Sequence, residues 1–538
     1  MGSIINYAKA QLKAKFSKPV TAIILFILPL FFFFGTIPAA KFMFPNGREN
    51  DPNVRVSKQH IFMNIAALSF YIIYTITAGY DVVKERQILR KQHMFANGFS
   101  NLKFYFAWTL VYTILILPTT IVMIVVMYFV KLFPHVNIIV QFVDFFLLQL
   151  SGITVAFWVA TYVPIALIGS IVVAFFNISF AGAYFGMAYI PDNVKETLCL
   201  FVSPMTYGGI LNNFQHAEMR GDSIGLVNLI PGKGGEYSVF AYTFKLIFNN
   251  ILYISFACLF DKLFKHLNRN PSELKKEKDF ETDASQKSVN TITNAGNGIT
   301  KIAAHKVYKY YFNKKTGETS VLENVNFGVC EGETFAIVGE KGSGKSTLMK
   351  LLCGREVPSY GVVDVSAAIG LDQLGVMSTI ASVAPEDDYV VFEEASVADN
   401  IKYYTSLIKN KVRMNGFDIL KGLNFEKSVS TKYSKLDKVE KAKVKAAIAF
   451  ICNKDVLFFD EPTTDMSEND KEAFWKILNA SKQGKTVIFT STSEEEATQY
   501  ADRALVLKNG KVVSIGKLGL EGKTVNVNKK QLEVMVEC

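Results

Sequence analysis

An α-helical membrane domain of six transmembrane helices followed by an α/β domain with a phosphate-cradling loop is the fold class this sequence predicts. Three observations carry it. The first half of the 538 residues holds long uncharged apolar runs, whereas the second half is mixed and lysine-rich. In that second half a strand-like run, TFAIV at 334–338, leads into the glycine-rich run GEKGSGKST at 339–347 and then a helix-like run at 348–353. Further on, the run VLFFDEP at 456–462 reads as a buried strand that ends in two acids.

The apolar runs place spans at about 20–40, 60–80, 104–130, 138–163, 164–190 and 239–260. Each is near or above the ~20 residues a helix needs to cross a bilayer. The fourth and fifth are joined by almost nothing, so fewer, longer or re-entrant helices are the alternative. Lys9, Lys13, Lys15 and Lys18 precede the first span. Lys84, Arg86, Arg90 and Lys91 follow the second, and Lys262, Lys265, Arg269, Lys275, Lys276 and Lys278 follow the sixth. Basic residues gather on the cytoplasmic side, which predicts a multi-pass integral membrane protein with both termini and the α/β domain in the cytoplasm. The loop at 41–59 also holds basic residues, so the bias is real but imperfect.

The opening helix, from Tyr7 to Lys18, sets basic residues on a partly apolar frame and is expected at the membrane surface. The charged stretch at 81–101 is expected to form a cytoplasmic helix available to dock on the soluble domain, against the plainer reading of a solvated loop. The segment at 192–238 reads as external, and its apolar stretch at 198–210 is too short to span, which suggests a re-entrant piece. Asp144 and Lys245 fall near span ends and are expected to snorkel or meet headgroups. A polar stretch then separates the halves, giving a transmembrane domain at 1–266, a linker at 267–300 and the nucleotide-binding domain at 301–538. That last domain opens with an alternating run at 304–312, a turn at 313–318 and a second run at 321–329, a hairpin signal.

Composition excludes some classes. The net charge of +10 is explained by basic residues flanking membrane spans, so no nucleic-acid partner is expected. The six cysteines are scattered, which indicates neither a disulfide framework nor a metal-ligand spacing. The start MGSIIN resembles a myristoylation signal, but Asn6 stands where Ser or Thr is required. The run from Val20 is too long for a signal-peptide core and lacks a clear cleavage site.

The glycine-rich run fits the pattern G-x-x-x-x-G-K-[ST] at Gly339, Gly344, Lys345 and Ser346. Glu340, Lys341, Gly342 and Ser343 fill the variable positions, and Thr347 begins the helix. Glycines let backbone N–H groups wrap phosphates, and the helix N-terminus adds positive potential. Lys345 would reach the outer phosphates and Ser346 would hold Mg²⁺. In the DEP strand the acids fall at the C-terminal tip, where ligands gather in open α/β sheets. Asp460 would hold Mg²⁺ through water, and Glu461 would orient or deprotonate an attacking water.

With these residues in place, the chain resembles a half-size ABC transporter whose membrane domain precedes its nucleotide-binding domain. That order, and the stretch VVKERQILRKQHMFANGFS at 82–100, resemble the A subfamily. The resemblance covers nearly the whole chain. It implies ATP and Mg²⁺ as cofactors, membrane lipids as surroundings, and a second ABC half-transporter as partner in a homodimer or heterodimer. In such a dimer ATP is sandwiched between the phosphate loop of one unit and the signature motif of the other. The resemblance also implies an aromatic that stacks on adenine, for which Tyr308 is the candidate with Tyr310 and Tyr311 close behind.

The chain departs from the family at several positions. The LSGGQ-like signature aligns with Leu436–Glu440, LDKVE, so Asp437 replaces the serine and Lys438 and Val439 replace the glycines. An alternative alignment on YSKLD at 433–437 keeps Ser434 but still loses both glycines. A carboxylate there brings negative charge toward a phosphate, and valine adds bulk where glycine permits close approach. The glutamine of the Q-loop appears as Glu386 and the switch histidine as Thr492, while the D-loop reads Asp465, Met466, Ser467. Threonine is a weaker donor to a developing charge than histidine. The first expectation is therefore an ATP-driven transporter subunit for amphipathic or lipid-like cargo. The second is a regulatory ATP-binding subunit, and the third an ATP-gated lipid scramblase. The short loop at 41–59 replaces the large external domain usual in the A subfamily, which separates this chain from any cargo handling that depends on it.

Overall fold

The computed structural model describes residues 2–17, 27, 73–87, 90–96, 99–129, 133–185, 191–225, 238–263, 300–313, 317–365, 380–408 and 415–517. Its contacts divide the chain into two compact units, one of residues 7–88 and 100–268, the other of 1–6, 89–99 and 269–538.

The first unit is helical. It contains most of α1 (Gly2–Phe16), a helix over 73–87, α3 (Asn101–Phe129), α4 (Ile138–Ala160), α5 (Ala166–Phe185), α6 (Asp192–Leu198), α7 (Ser203–Arg220) and α8 (Val239–Leu263). Among the described residues, α3, α4 and α8 are long and apolar enough to cross a membrane. They correspond to the third, fourth and sixth expected spans. The span at 20–40 lies outside the described residues apart from Ile27, and the second is described only from residue 73. The buried residues of α4 include the small Ser151, Gly152, Thr154, Ala156 and Ala160, the composition that lets membrane helices approach closely. The stretch at 192–220 folds as α6 and α7.

Several charged side chains of this unit find partners within it. The Arg86 guanidinium donates to the carbonyls of Ala160, Thr161 and Val163, which satisfies the open carbonyl end of α4 with a cation. Asp144 is 1% exposed and accepts the Thr243 hydroxyl at 2.6 Å. Lys245 pairs with Glu196 of α6, which also accepts Tyr242 Oη at 2.6 Å. Asp144 is thus held inside the fold by a neighbouring helix, whereas Lys245 stays half-buried beside its partner. Likewise α1 is packed in: Tyr7 lies against Phe104 and Trp108, Gln11 donates to Glu85, and Lys15 pairs with Asp81.

The second unit is an α/β domain, joined by α2 (Arg90–Ala96) from the charged stretch between the second and third expected spans. There Arg90 Nε donates to the Tyr389 carbonyl, and Phe99 packs edge-on to Tyr403. An antiparallel sheet in the order β2-β1-β4 contains β1 (Thr300–Asn313), β2 (Gly317–Cys330) and β4 (Tyr360–Val365). A second sheet runs β5-β6-β7-β3-β8-β9, with β3 (Thr334–Val338), β5 (Ala381–Ala384), β6 (Val456–Phe459), β7 (Thr486–Ser491), β8 (Arg503–Lys508) and β9 (Lys511–Gly516). Its first five strands are parallel and β9 is antiparallel. The fully buried runs TFAIV, VLFF and TVIFTS suit parallel strands covered on both faces. A core of Ile302, Phe327, Phe335, Leu348, Phe458 and Ile488 joins the two sheets.

Among the described residues, the helices that follow these strands are α9 (Lys345–Leu352), α10 (Val397–Leu407), α11 (Gly416–Gly422), α12 (Lys438–Cys452), α13 (Glu468–Ser481) and the short α14 (Glu494–Tyr500). Among the described residues, Cys199, Cys353 and Cys452 are free thiols.

Candidate nucleotide-binding site

The strand order explains why distant sequence segments meet. β7 lies between β3 and β6, so the tips of these three strands are neighbours. The loop after β3, the acids after β6 and the end of β7 therefore share one edge, the edge at which open α/β sheets bind ligands.

The loop after β3 depends on its glycines. Gly342 and Gly344 have φ of +84° and +106°, a region costly for residues with a Cβ. A Cβ on Gly339 would stand 2.3 Å from the Leu507 carbonyl oxygen and 2.6 Å from Ser343 Oγ. Glu340, Lys341 and Gly342 are exposed, Ser346 and Thr347 are half-buried, and Ser343 and Lys345 are buried. The Lys345 ammonium donates to the carbonyls of Gly339 at 2.7 Å and Glu340 at 3.0 Å, and stands 3.3 Å from Glu461 Oε1. Ser343 Oγ is buried without a hydrogen-bond partner, an orphan that an anion's oxygen in this loop would leave no longer idle.

The acids after β6 complete the site. Ser346 Oγ lies 3.3 Å from Asp460 Oδ1, and the same oxygen accepts the Thr490 hydroxyl at 2.7 Å. Burial pushes the Asp460 carboxyl above its ordinary value; Thr490 and Ser346 pull it down, Glu386 and Glu461 push it up, and the net is upward. Glu461 sits at φ +47°, and its N–H donates to Thr490 Oγ1 at 2.8 Å. Thr490 was not among the sequence candidates. Its hydroxyl both holds the metal-binding candidate and positions the catalytic candidate. The oxygen donors of Ser346 and Asp460 are the chemistry Mg²⁺ prefers, usually with waters and phosphate oxygens completing the shell.

The remaining candidates divide. Glu386 lines the same cleft as Asp460, so the Q-loop position faces the site. Thr492 is exposed, one residue past the end of β7. On β1, Tyr308 stacks with Tyr310 at 6.3 Å and meets Tyr360 edge-on at 5.6 Å. Tyr311 is 39% exposed, and its hydroxyl donates to Glu356 at 2.6 Å. The segment LDKVE forms the start of α12. Asp437 is its N-cap, and its carboxylate accepts the Glu440 N–H at 2.8 Å. The positive end of this helix is thus satisfied by the chain's own carboxylate.

Comparison with known proteins agrees with this geometry. Residues 322–464 match the ABC transporter family. The chain is 24% identical over 482 residues to mouse ATP-binding cassette sub-family A member 9, covering 85% of this chain and 29% of that protein. It is 25% identical over 480 residues to the human cholesterol transporter ABCA5, covering 83% of this chain and 29% of that protein. The chain therefore spans under a third of the length of these curated relatives. A solved dimeric ATP-binding cassette bound to ADP and phosphate aligns at 23% identity with a TM-score of 0.36, over 40% of this chain and 99% of that one. With its glycine loop and acid-tipped strand inside the matched region, and sub-family A proteins among its relatives, this chain carries a domain that matches the ABC transporter family, and over most of its length it resembles the A subfamily.

Proposed function

We propose that this chain is the ATP-binding subunit of an ABC transporter that moves an amphipathic or lipid-like substrate across a membrane, as a dimer of half-transporters. The observation that carries the reading is the meeting of Lys345, Ser346, Asp460 and Glu461 around Thr490, with polar contacts of 2.7 to 3.3 Å. In this reading residues 339–347 wrap the phosphates, and Ser346 and Asp460 hold Mg²⁺. Bound Mg²⁺ would neutralise charge on the phosphates. Glu461 acts on the attacking water, and Glu386 faces the metal side of the cleft. A tyrosine of β1 stacks on adenine. The lipid-like cargo is suggested by the cholesterol-transporting relative and by the apolar helices.

The N-cap of α12 favours a second reading, an ATP-binding regulatory subunit or ATP-gated scramblase with little hydrolysis. In a dimer the start of this helix would face the partner's γ-phosphate, and Asp437 presents a carboxylate there. A homodimer would then hold two poor sites, whereas a partner with an intact signature would complete one good site with this chain's Lys345, Asp460 and Glu461.

The deciding experiment is ATP binding and turnover by the purified chain in lipid, with and without Mg²⁺, beside Lys345→Ala and Glu461→Gln. Turnover lost in both variants supports the transporter. Binding without turnover selects the second reading, and vesicle assays of lipid movement then separate regulator from scramblase. Absence of ATP binding overturns both.

A further inference from the structure

The acidic run Glu386, Asp387, Asp388 lies between two parts of the α/β domain. Asp387 Oδ2 is 2.9 Å from Arg355 Nη1 and 3.8 Å from Lys350 Nζ, both cations of the phosphate-loop helix α9 and the turn after it. The Arg355 guanidinium also lies 4.0 Å from the Tyr389 ring centre. The next residue turns the other way. Asp388 accepts the Tyr433 hydroxyl at 2.7 Å and pairs with Lys441 at 3.3 Å and Lys445 at 3.4 Å. Those lysines are four apart on α12, hence on one helix face. Lys445 donates in addition to the Glu386 carbonyl. Adjacent carboxylates thus bind cations on the two helices that carry the phosphate loop and the signature segment. Burial raises the Asp388 carboxyl, but Tyr433, Lys445 and Lys441 together bring it below its ordinary value.

We infer that residues 386–388 form an electrostatic latch that holds α10–α12 against the phosphate-loop helix and restrains its movement. One Asp–cation pair at the surface would contribute little. Here several pairs share neighbouring backbone positions, so separating the two parts breaks them together and leaves Asp388 and Tyr433 without partners. Arg90 of α2 adds to the same place: it donates to the Tyr389 carbonyl and lies over the Phe392 ring. The latch does not depend on ATP turnover.

Amide hydrogen exchange of the full chain in lipid nanodiscs, without nucleotide, tests this. In the double variant Asp387→Asn with Asp388→Asn, amides over 397–407 and 438–452 are expected to exchange roughly tenfold faster, the factor for losing about one charge-assisted hydrogen bond. Amides of β3 and β7 should be unchanged. Raising NaCl to about 1 M should loosen the same segments in the unmodified chain, because screening shortens to ~3 Å. Arg355→Asp should loosen them too, and Arg355→Asp combined with Asp387→Arg should restore protection. Unchanged exchange in the double variant overturns the inference. So does equal acceleration in β3 and β7, or failure of the charge swap to restore protection.

Discussion

Replacing Thr490 by valine isolates what one buried hydroxyl does at the nucleotide site. Thr490 is 0% exposed on β7, and its hydroxyl has two duties: it donates to Asp460 Oδ1 at 2.7 Å and accepts the Glu461 N–H at 2.8 Å. Valine preserves the shape but leaves a buried carboxylate oxygen with only the longer 3.3 Å contact to Ser346, and it orphans the N–H of Glu461. A hydrogen bond to a charged group is worth roughly 1.5–3 kcal/mol, and an unsatisfied buried donor costs roughly 1–3 kcal/mol. The terms overlap, so about 3 kcal/mol is expected. For a domain of this size that lowers the melting temperature by about 6–12 °C. The assay is thermal unfolding of the full chain in lipid, followed at the tryptophan of the α/β domain, Trp475, which packs on Phe489 of β7. Thr490→Ser keeps the hydroxyl and should lose less than half as much. Because Glu461 would lose the contact that holds its backbone at positive φ, any ATP turnover should fall further than ATP affinity. A Thr490→Val protein with unchanged melting and unchanged nucleotide response would refute the reasoning, since it would mean that neither hydrogen bond matters.

Further expectations concern charge and ring position. Asp460 is held above its ordinary value of 3.8, so the folded state takes up this proton more readily than the unfolded chain. That contribution is fully present below pH 3.8 and is lost as pH rises through the raised value. Mg²⁺ competes with the same proton, so stabilisation by Mg²⁺ with ATP should grow over that window, and Asp460→Asn should abolish the growth while leaving the nucleotide-free protein at neutral pH as stable or more so. Equal Mg²⁺ response at both ends of the window would contradict this. On β1, the Tyr308 ring is engaged by Tyr310 and Tyr360 whereas Tyr311 is the more exposed. Tyr311→Ala should therefore weaken binding of a fluorescent ATP analogue by about tenfold, as expected for ~1–1.5 kcal/mol of aromatic stacking, and Tyr308→Ala by less. The reverse order would return the adenine contact to Tyr308.

The local parts of this protein were written in its residues. Long apolar runs with few charges are buried or face lipid, so the third, fourth and sixth expected spans coincide with α3, α4 and α8, helices long and apolar enough to cross a membrane. The glycine loop was equally legible, because positive φ at Gly342 and Gly344 and the close approach at Gly339 admit little else. The hairpin of β1 and β2 followed from alternation and a turn. Other features depended on which strands become neighbours. No pattern marks Thr490, an unremarked threonine in TVIFTS; it matters because β7 is inserted between β3 and β6. Asp144 looked like a span-end charge, and only packing against Thr243 of a neighbouring helix made it internal. Glu386 reads as a motif position, but nothing in the sequence marks Asp387 and Asp388, which the fold turns toward cations that lie 32 and 53 residues away in sequence. Sequence fixes the elements, since periodicity and backbone sterics act over a few residues. Side-chain partners far along the chain are chosen only when the sheet order and helix packing bring them within hydrogen-bonding distance.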